Sequence, residues 1–117
     1  MTLSERRIGN VTILDLKGRL VLEDGDAVLR TRVNELLEQG RTQIVLNLKD
    51  VTYIDSCGVG VLIAKLVSMR NKGGDLRLLN LTERSHRLME ISQLLNVFGI
   101  YESESDAVNS FMDPTRA

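Results

Sequence analysis

Ile44-Val45-Leu46-Asn47-Leu48, followed a few residues on by Tyr53-Ile54-Asp55-Ser56-Cys57-Gly58-Val59-Gly60, decides the fold. The first five residues are almost continuously apolar and branched, the pattern of a strand buried on both faces. Downstream, Val59, Leu62, Ile63 and Leu66 recur at helical spacing and predict a helix over about 57–71. Between the two, Asp55 and Ser56 are residue types that cap helices, and Gly58 and Gly60 lack the side chains that block close backbone approach. The stretch therefore predicts a buried strand, a tight turn and an exposed helix start. A phosphate added to a hydroxyl at such a turn, at Ser56, would change what that surface binds.

Upstream, Ile8 and the alternating run Val11-Thr12-Ile13-Leu14-Asp15-Leu16 predict a hairpin turning at Gly9-Asn10, with Gly18 closing its second strand. Over 26–39, Leu29, Val33, Leu36 and Leu37 share one helical stripe, and Gly40 is placed as the stop. Downstream, Gly73-Gly74 breaks the chain before a strand at 76–81, so strand, helix and strand in series predict a parallel pair with a right-handed crossover. Thr82 is placed to cap a third helix with Leu88, Ile91 and Leu95 turned inward. Residues 97–101 read as a short last strand and 105–112 as a short amphipathic helix ended by Asp113-Pro114, with 114–117 a frayed tail. The sum is α/β: one domain over 1–117, a mixed sheet of four or five strands with helices mostly on one face.

Composition narrows the function. The chain has 117 residues, the size of one ordinary domain, and acidic residues outnumber basic ones by 16 to 15, which removes the electrostatic basis for direct nucleic-acid binding. Apolar runs are broken by charge well short of the roughly twenty residues a bilayer requires, and Met1-Thr2-Leu3-Ser4-Glu5-Arg6-Arg7 leads into no signal-peptide block. No membrane insertion and a cytoplasmic location are expected. One cysteine, Cys57, makes neither an internal disulfide nor a cysteine-rich metal site.

Enzyme chemistry finds little support. A hydrolase elbow on Ser56 requires glycine two positions before it, where Ile54 stands, and only Gly58 fits. His86 lies among Arg84 and Arg87 on the third helix and reads as a solvated residue. Cys57 reads as a small filler rather than a nucleophile. Neither Gly58-Val59-Gly60 nor Gly73-Gly74-Asp75 completes a phosphate loop or a dinucleotide fingerprint. Glu23-Asp24-Gly25-Asp26 lacks the spacing of a calcium loop and reads as an exposed turn feeding a helix. No enzyme activity, cofactor or metal is expected.

The run from Leu46 to Leu62, with Asp55-Ser56-Cys57-Gly58-Val59-Gly60 at its centre, resembles the strand, Asp-Ser-Ser/Thr-Gly-Leu-Gly turn and helix of the stand-alone STAS domains called anti-sigma factor antagonists. Lys72-Gly73-Gly74-Asp75-Leu76 and Leu79-Asn80-Leu81 are similar to that family's next helix end and strand. The resemblance implies phosphorylation at Ser56 by a partner that is both anti-sigma factor and serine kinase. It also implies a PP2C-type phosphatase that reverses the modification. The unphosphorylated form would bind the kinase and release a sigma factor. The partner surface it implies comprises Asp55, Ser56, Cys57, Gly58 and Val59, with Leu20 and the Glu23-Asp24 loop beside them.

Two positions depart from the family pattern: Cys57 replaces Ser or Thr, and Gly18-Arg19-Leu20-Val21 stands where Gly-Glu-Leu/Ile-Asp is usual. An accessory STAS subunit of a lipid-transport ABC ATPase and a scaffold in a stress-sensing assembly are the other roles the same resemblance allows. The plain alternative for Ser56 is a helix cap without regulation. Oligomeric state is not legible in the sequence.

Overall fold

A computed structural model describes residues 1–112. Strands β1 (Thr2–Ile8), β2 (Val11–Leu20), β3 (Gln43–Ile54), β4 (Asp75–Leu79) and β5 (Gly99–Tyr101) form one sheet in the order β1-β2-β3-β4-β5. The helices of the described residues are α1 (Gly25–Glu38), α2 (Ser56–Asn71), α3 (Glu83–Ile91) and α4 (Glu104–Met112). Among the described residues only the β1–β2 hairpin is antiparallel, and β2 through β5 run parallel. The expected frayed tail at 114–117 lies outside the described residues.

This strand order explains the distribution of the helices. Parallel neighbours joined in sequence need crossovers of one hand, and crossovers that all step the same way across a sheet land on the same face. Leu29, Val33 and Leu36 of α1, Val61, Leu62, Leu66 and Met69 of α2 and Met89 of α3 accordingly share one core with Leu14, Leu46 and Leu78 of the sheet. The opposite face carries Val11, Ile13, Val45 and Leu79, and α4 covers it with Ala107 and Val108. Ile44, Leu46 and Leu48 point to the three-helix side and Val45 to the α4 side, which is why the β3 run reads as continuously apolar. Where α4 no longer covers the sheet, that face turns polar: Asn47 donates to Asp15 at 2.8 Å and accepts from Asn80 at 3.3 Å.

Several sequence expectations are corrected by β2 and β3. Gly18 does not close β2; it lies inside the strand at φ 121°. β3 does not stop at Leu48 but continues to Ile54. The register explains both, because Asp15 pairs with Asn47 yet Lys17 pairs with Asp50, and Gly18 pairs with Val51 yet Arg19 pairs with Tyr53. At each shift β3 accommodates one extra residue, so two bulges bend it against β2. Opposite them Gly18 takes a backbone conformation closed to most side chains, and Thr52 Oγ1 donates to its carbonyl at 3.3 Å.

The helix ends follow their sequence signals. Gly40 and Arg41 return amides to Leu37 and Leu36 at the end of α1, and Thr82 Oγ1 accepts the Ser85 amide at 3.1 Å at the start of α3. On α3, however, Ile91 is 74% exposed, while Met89 is fully buried; Leu88 and Leu95 are only partly buried. The helix is nine residues long, and the chain leaves it after Ile91 with Leu94 donating its amide back to Met89. Its inward stripe therefore runs through Ser85 and Met89.

Replacing Met89 with Ala should lower unfolding free energy by about 2–4 kcal/mol, whereas Ile91→Ala should stay within about 0.5 kcal/mol. Urea denaturation of the two variants distinguishes this α3 orientation from one with Ile91 inward.

Candidate functional site

The bulges in β3 bring Ile54 back into the core beside Leu20, its partner on β2, and the strand gives way to α2 at the next residue. Asp55 is the N-cap, extended at φ −98° and ψ −176°. Its backbone amide donates to Leu20 O at 3.3 Å, and its carbonyl accepts the Val59 amide at 3.0 Å. The carboxylate divides its two oxygens: Oδ1 accepts the Gly58 amide at 2.9 Å and Oδ2 accepts the Leu22 amide at 3.1 Å. One side chain thus satisfies an orphan donor at the start of α2 and holds the loop between β2 and α1. The Gly58 amide first, and then that of Leu22, hold the Asp55 carboxyl below the usual carboxylate range.

Gly58 is required by contact rather than by conformation. A Cβ there would lie 2.1 Å from the Leu20 carbonyl oxygen and 2.9 Å from Ile54 Cγ2. Gly60, one half-turn further, has nothing within 4 Å of such an atom. The first turn of α2 therefore lies directly on the ends of β2 and β3, with Gly58 beneath and Gly60 outward.

Of the residues expected at the partner surface, the structure gathers all around this turn but does not expose all of them. Ser56, the first residue of α2, is exposed, and Cys57 and Val59 are half-buried. Leu20 is fully buried and Gly58 is buried as well, which corrects their assignment as contact residues. They form the floor of the turn, where the Leu20 carbonyl and the missing Gly58 side chain let strand and helix approach. Glu23 is exposed at φ 64°. Asp24 is half-buried and accepts the Met1 amino group at 2.7 Å, with Arg19 Nε 3.9 Å away. The amino group of Met1 holds the Asp24 carboxyl below its ordinary range. Arg19 itself is exposed, so a molecule approaching the turn meets a cation and a carboxylate side by side.

Two residues of this surface were missed by sequence reasoning. Leu22 is 58% exposed while its amide holds Asp55, and Tyr53 is 43% exposed with the Arg84 guanidinium 5.1 Å above its ring centroid. A leucine within the acidic run Leu22-Glu23-Asp24 is the signal that identifies the first. The position just before the turn is the signal for the second. Together they leave exposed apolar and aromatic side chains on the two segments that flank the turn.

Asp55, not Ser56, occupies the cap, so the Ser56 hydroxyl is free of the structural duty that the plain sequence reading gave it. Among the described residues no group of three or more histidine, cysteine, aspartate or glutamate side chains could hold a metal ion. No described helix is long and apolar enough to cross a membrane.

A mixed sheet with three crossover helices on one face and an exposed serine at a capped strand-to-helix turn defines a small α/β domain. The chain belongs to the STAS domain family, whose model matches residues 3–107. It is 31% identical over 99 residues to the Paenibacillus polymyxa anti-sigma F factor antagonist, covering 84% of each chain. A Thermotoga maritima crystal structure, provisionally called an anti-sigma factor antagonist, superposes with a TM-score of 0.89 at 28% identity over 95% of both chains. The phosphorylated form of the Bacillus cell fate determinant SpoIIAA shares the fold, with a TM-score of 0.73 at 20% identity over 92% of this chain and 97% of that one.

Gly58→Ala should destabilise the protein by about 1–3 kcal/mol, since carbonyl and side chain would have to yield. Gly60→Ala should stabilise it by about 0.5–1 kcal/mol through helix propensity. Thermal or urea unfolding of the pair reads both signs. Because the folded Asp55 carboxyl titrates below its unfolded value, its contribution is complete above the unfolded pKa and is lost as pH falls through the folded one. The melting temperature of wild type should therefore exceed that of Asp55→Ala at neutral pH, with the gap closing below about pH 4.

Proposed function

We propose that this protein is an anti-sigma factor antagonist whose Ser56 turn docks on an anti-sigma factor, and that phosphorylation of Ser56 releases it. The observation that carries the reading is the division of labour between neighbours: Asp55 caps α2 through Gly58, leaving the Ser56 hydroxyl exposed at the surface. The name of the P. polymyxa relative supports the antagonist role. In this reading the anti-sigma factor is also a serine kinase, the γ-phosphoryl of ATP passes to Ser56 Oγ as the hydroxyl proton leaves, and ADP departs. A PP2C-type phosphatase hydrolyses the ester and restores the binding form. All of this takes place in the cytoplasm, where sigma factors act.

The physical basis of the switch is local. A phosphate adds about −1.5 to −2 charges at neutral pH. It would do so next to the Asp55 carboxylate, on a turn flanked in sequence and by hydrogen bond by the exposed Tyr53 and Leu22. A partner packed on that turn would have to bury the new charge beside an existing one, which opposes docking through repulsion and desolvation. Within the free domain, the N-terminus of α2 favours the anion, so the fold persists.

Incubation with the cognate anti-sigma kinase and ATP should add one phosphate to wild type and none to Ser56→Ala, read by intact-mass spectrometry. Ser56→Ala should retain affinity for the anti-sigma factor in calorimetry, and Ser56→Asp should lose at least about tenfold. Full labelling of Ser56→Ala, or equal binding by Ala and Asp variants, would overturn the assignment. Capture of a transport ATPase by both variants would move the protein to the accessory-subunit role.

A further inference from the structure

β1 is the edge of the sheet: among the described residues it pairs only with β2. Its hairpin closes at Ile8–Val11 through a two-residue turn, which makes that pair hydrogen-bonded. Counting back by twos, Ser4, Arg6 and Ile8 turn their backbone groups toward β2, and Leu3, Glu5 and Arg7 turn theirs outward. Beside this free edge lies an open depression of about 530 Å³ between β1 and α1, lined by Leu3, Ala27, Val28, Thr31, Arg32 and Glu35. Val28 is 40% exposed there, a large apolar side chain directed away from the core.

The charges along the edge are arranged for a copy of the same strand. Glu5 and Arg7 stand two residues apart on the α1 face, where Arg7 donates to Glu5 at 3.2 Å and Arg32 also donates to Glu5. An antiparallel second β1 centred on Arg6 sets Glu5 of each copy opposite Arg7 of the other, at positions whose backbone groups point outward. On the other face the two Arg6 side chains meet at the axis. Each is already neutralised, by Asp15 at 2.6 and 2.9 Å and by Glu104 at 2.6 and 3.2 Å. Exposed charges on an edge strand usually prevent pairing with other chains. Here the reciprocal signs single out one partner and one register, as a two-fold interface requires.

We propose that β1 is a self-association surface, on which two copies pair antiparallel about Arg6 to form a continuous sheet, with α1 of each covering the Leu3–Val28 depression of the other. The Arg6 axis lies toward the Gly9-Asn10 end of the hairpin. The Ser56 turn lies at the opposite end, where Met1 packs on Gly18 and Gly25. Self-association consequently leaves both Ser56 turns accessible.

Sedimentation velocity over a concentration series tests the surface, with wild type, Glu5→Lys, Arg7→Glu and an equimolar mixture of the two variants. Wild type should dimerise, each single variant should dissociate at least about tenfold more readily because like charges now face one another, and the mixture should recover a heterodimer. Hydrogen exchange on wild type supplies a reading independent of any variant's folding: the Glu5 and Arg7 amides should become protected as concentration rises. A wild type that stays monomeric throughout, or a dimer indifferent to both charge reversals, overturns the proposal. Protection of those amides only when an anti-sigma factor is added would assign the edge to that partner and overturn it as well. None of these outcomes depends on the phosphorylation of Ser56.

Discussion

Asp55 holds three pieces of chain in one place. Through Gly58 it starts α2, through Leu22 it fixes the loop that leads into α1, and its own backbone is bound to the end of β2 at Leu20. None of these contacts uses the neighbouring hydroxyl. Ser56 is therefore presented by a turn whose geometry is determined entirely by other groups. A side chain in that situation can be modified with little consequence for the structure that displays it, and with a large consequence for whatever rests against it.

The turn in turn depends on how the sheet ends. Without the two extra residues of β3, Leu20 would pair out of register with Ile54, and the helix would start away from the Leu20 carbonyl that Gly58 approaches. Bulges commonly re-aim a strand near a functional site, and these two do so at the last turn before the serine. Gly18 belongs to the same device from the neighbouring strand, where its positive φ allows β2 to follow the bend. The packing beneath is ordinary, with leucine, valine and isoleucine filling both faces of the sheet.

Much of this was legible in the sequence because the relevant signals are local. The parallel strand–helix–strand unit, the Thr82 cap, the Gly40 stop and the last short helix each follow from a few adjacent residues whose preferences agree with their final environment. The errors came where distant residues set the local structure. Leu48, Val51 and Ile54 are buried at a spacing of three, which resembles neither a strand nor a long helix, and only the pairing with β2 reveals two bulges. Apolar spacing alone permits an inward Ile91, yet α3 ends there and leaves it in solvent. The motif marks the residues that gather at the turn, but not which of them are reachable. Leu20 and Gly58 are close to Ser56 because they are buried under it, and Leu22 joins the surface through a hydrogen bond to a residue 33 positions away.

The proposed phosphorylation of Ser56, changing a surface while sparing the fold, would leave a defined spectroscopic record. The most direct measurement compares backbone amide spectra of the unmodified protein and the protein phosphorylated at Ser56, together with the affinity of each for the anti-sigma factor. Shifts should be confined to Leu22 and to the turn from Asp55 to Gly60, with unchanged amides through β1, β4 and α3 and a loss of binding. Amide shifts spread through the sheet, or full affinity in the phosphorylated form, would contradict the proposed switch.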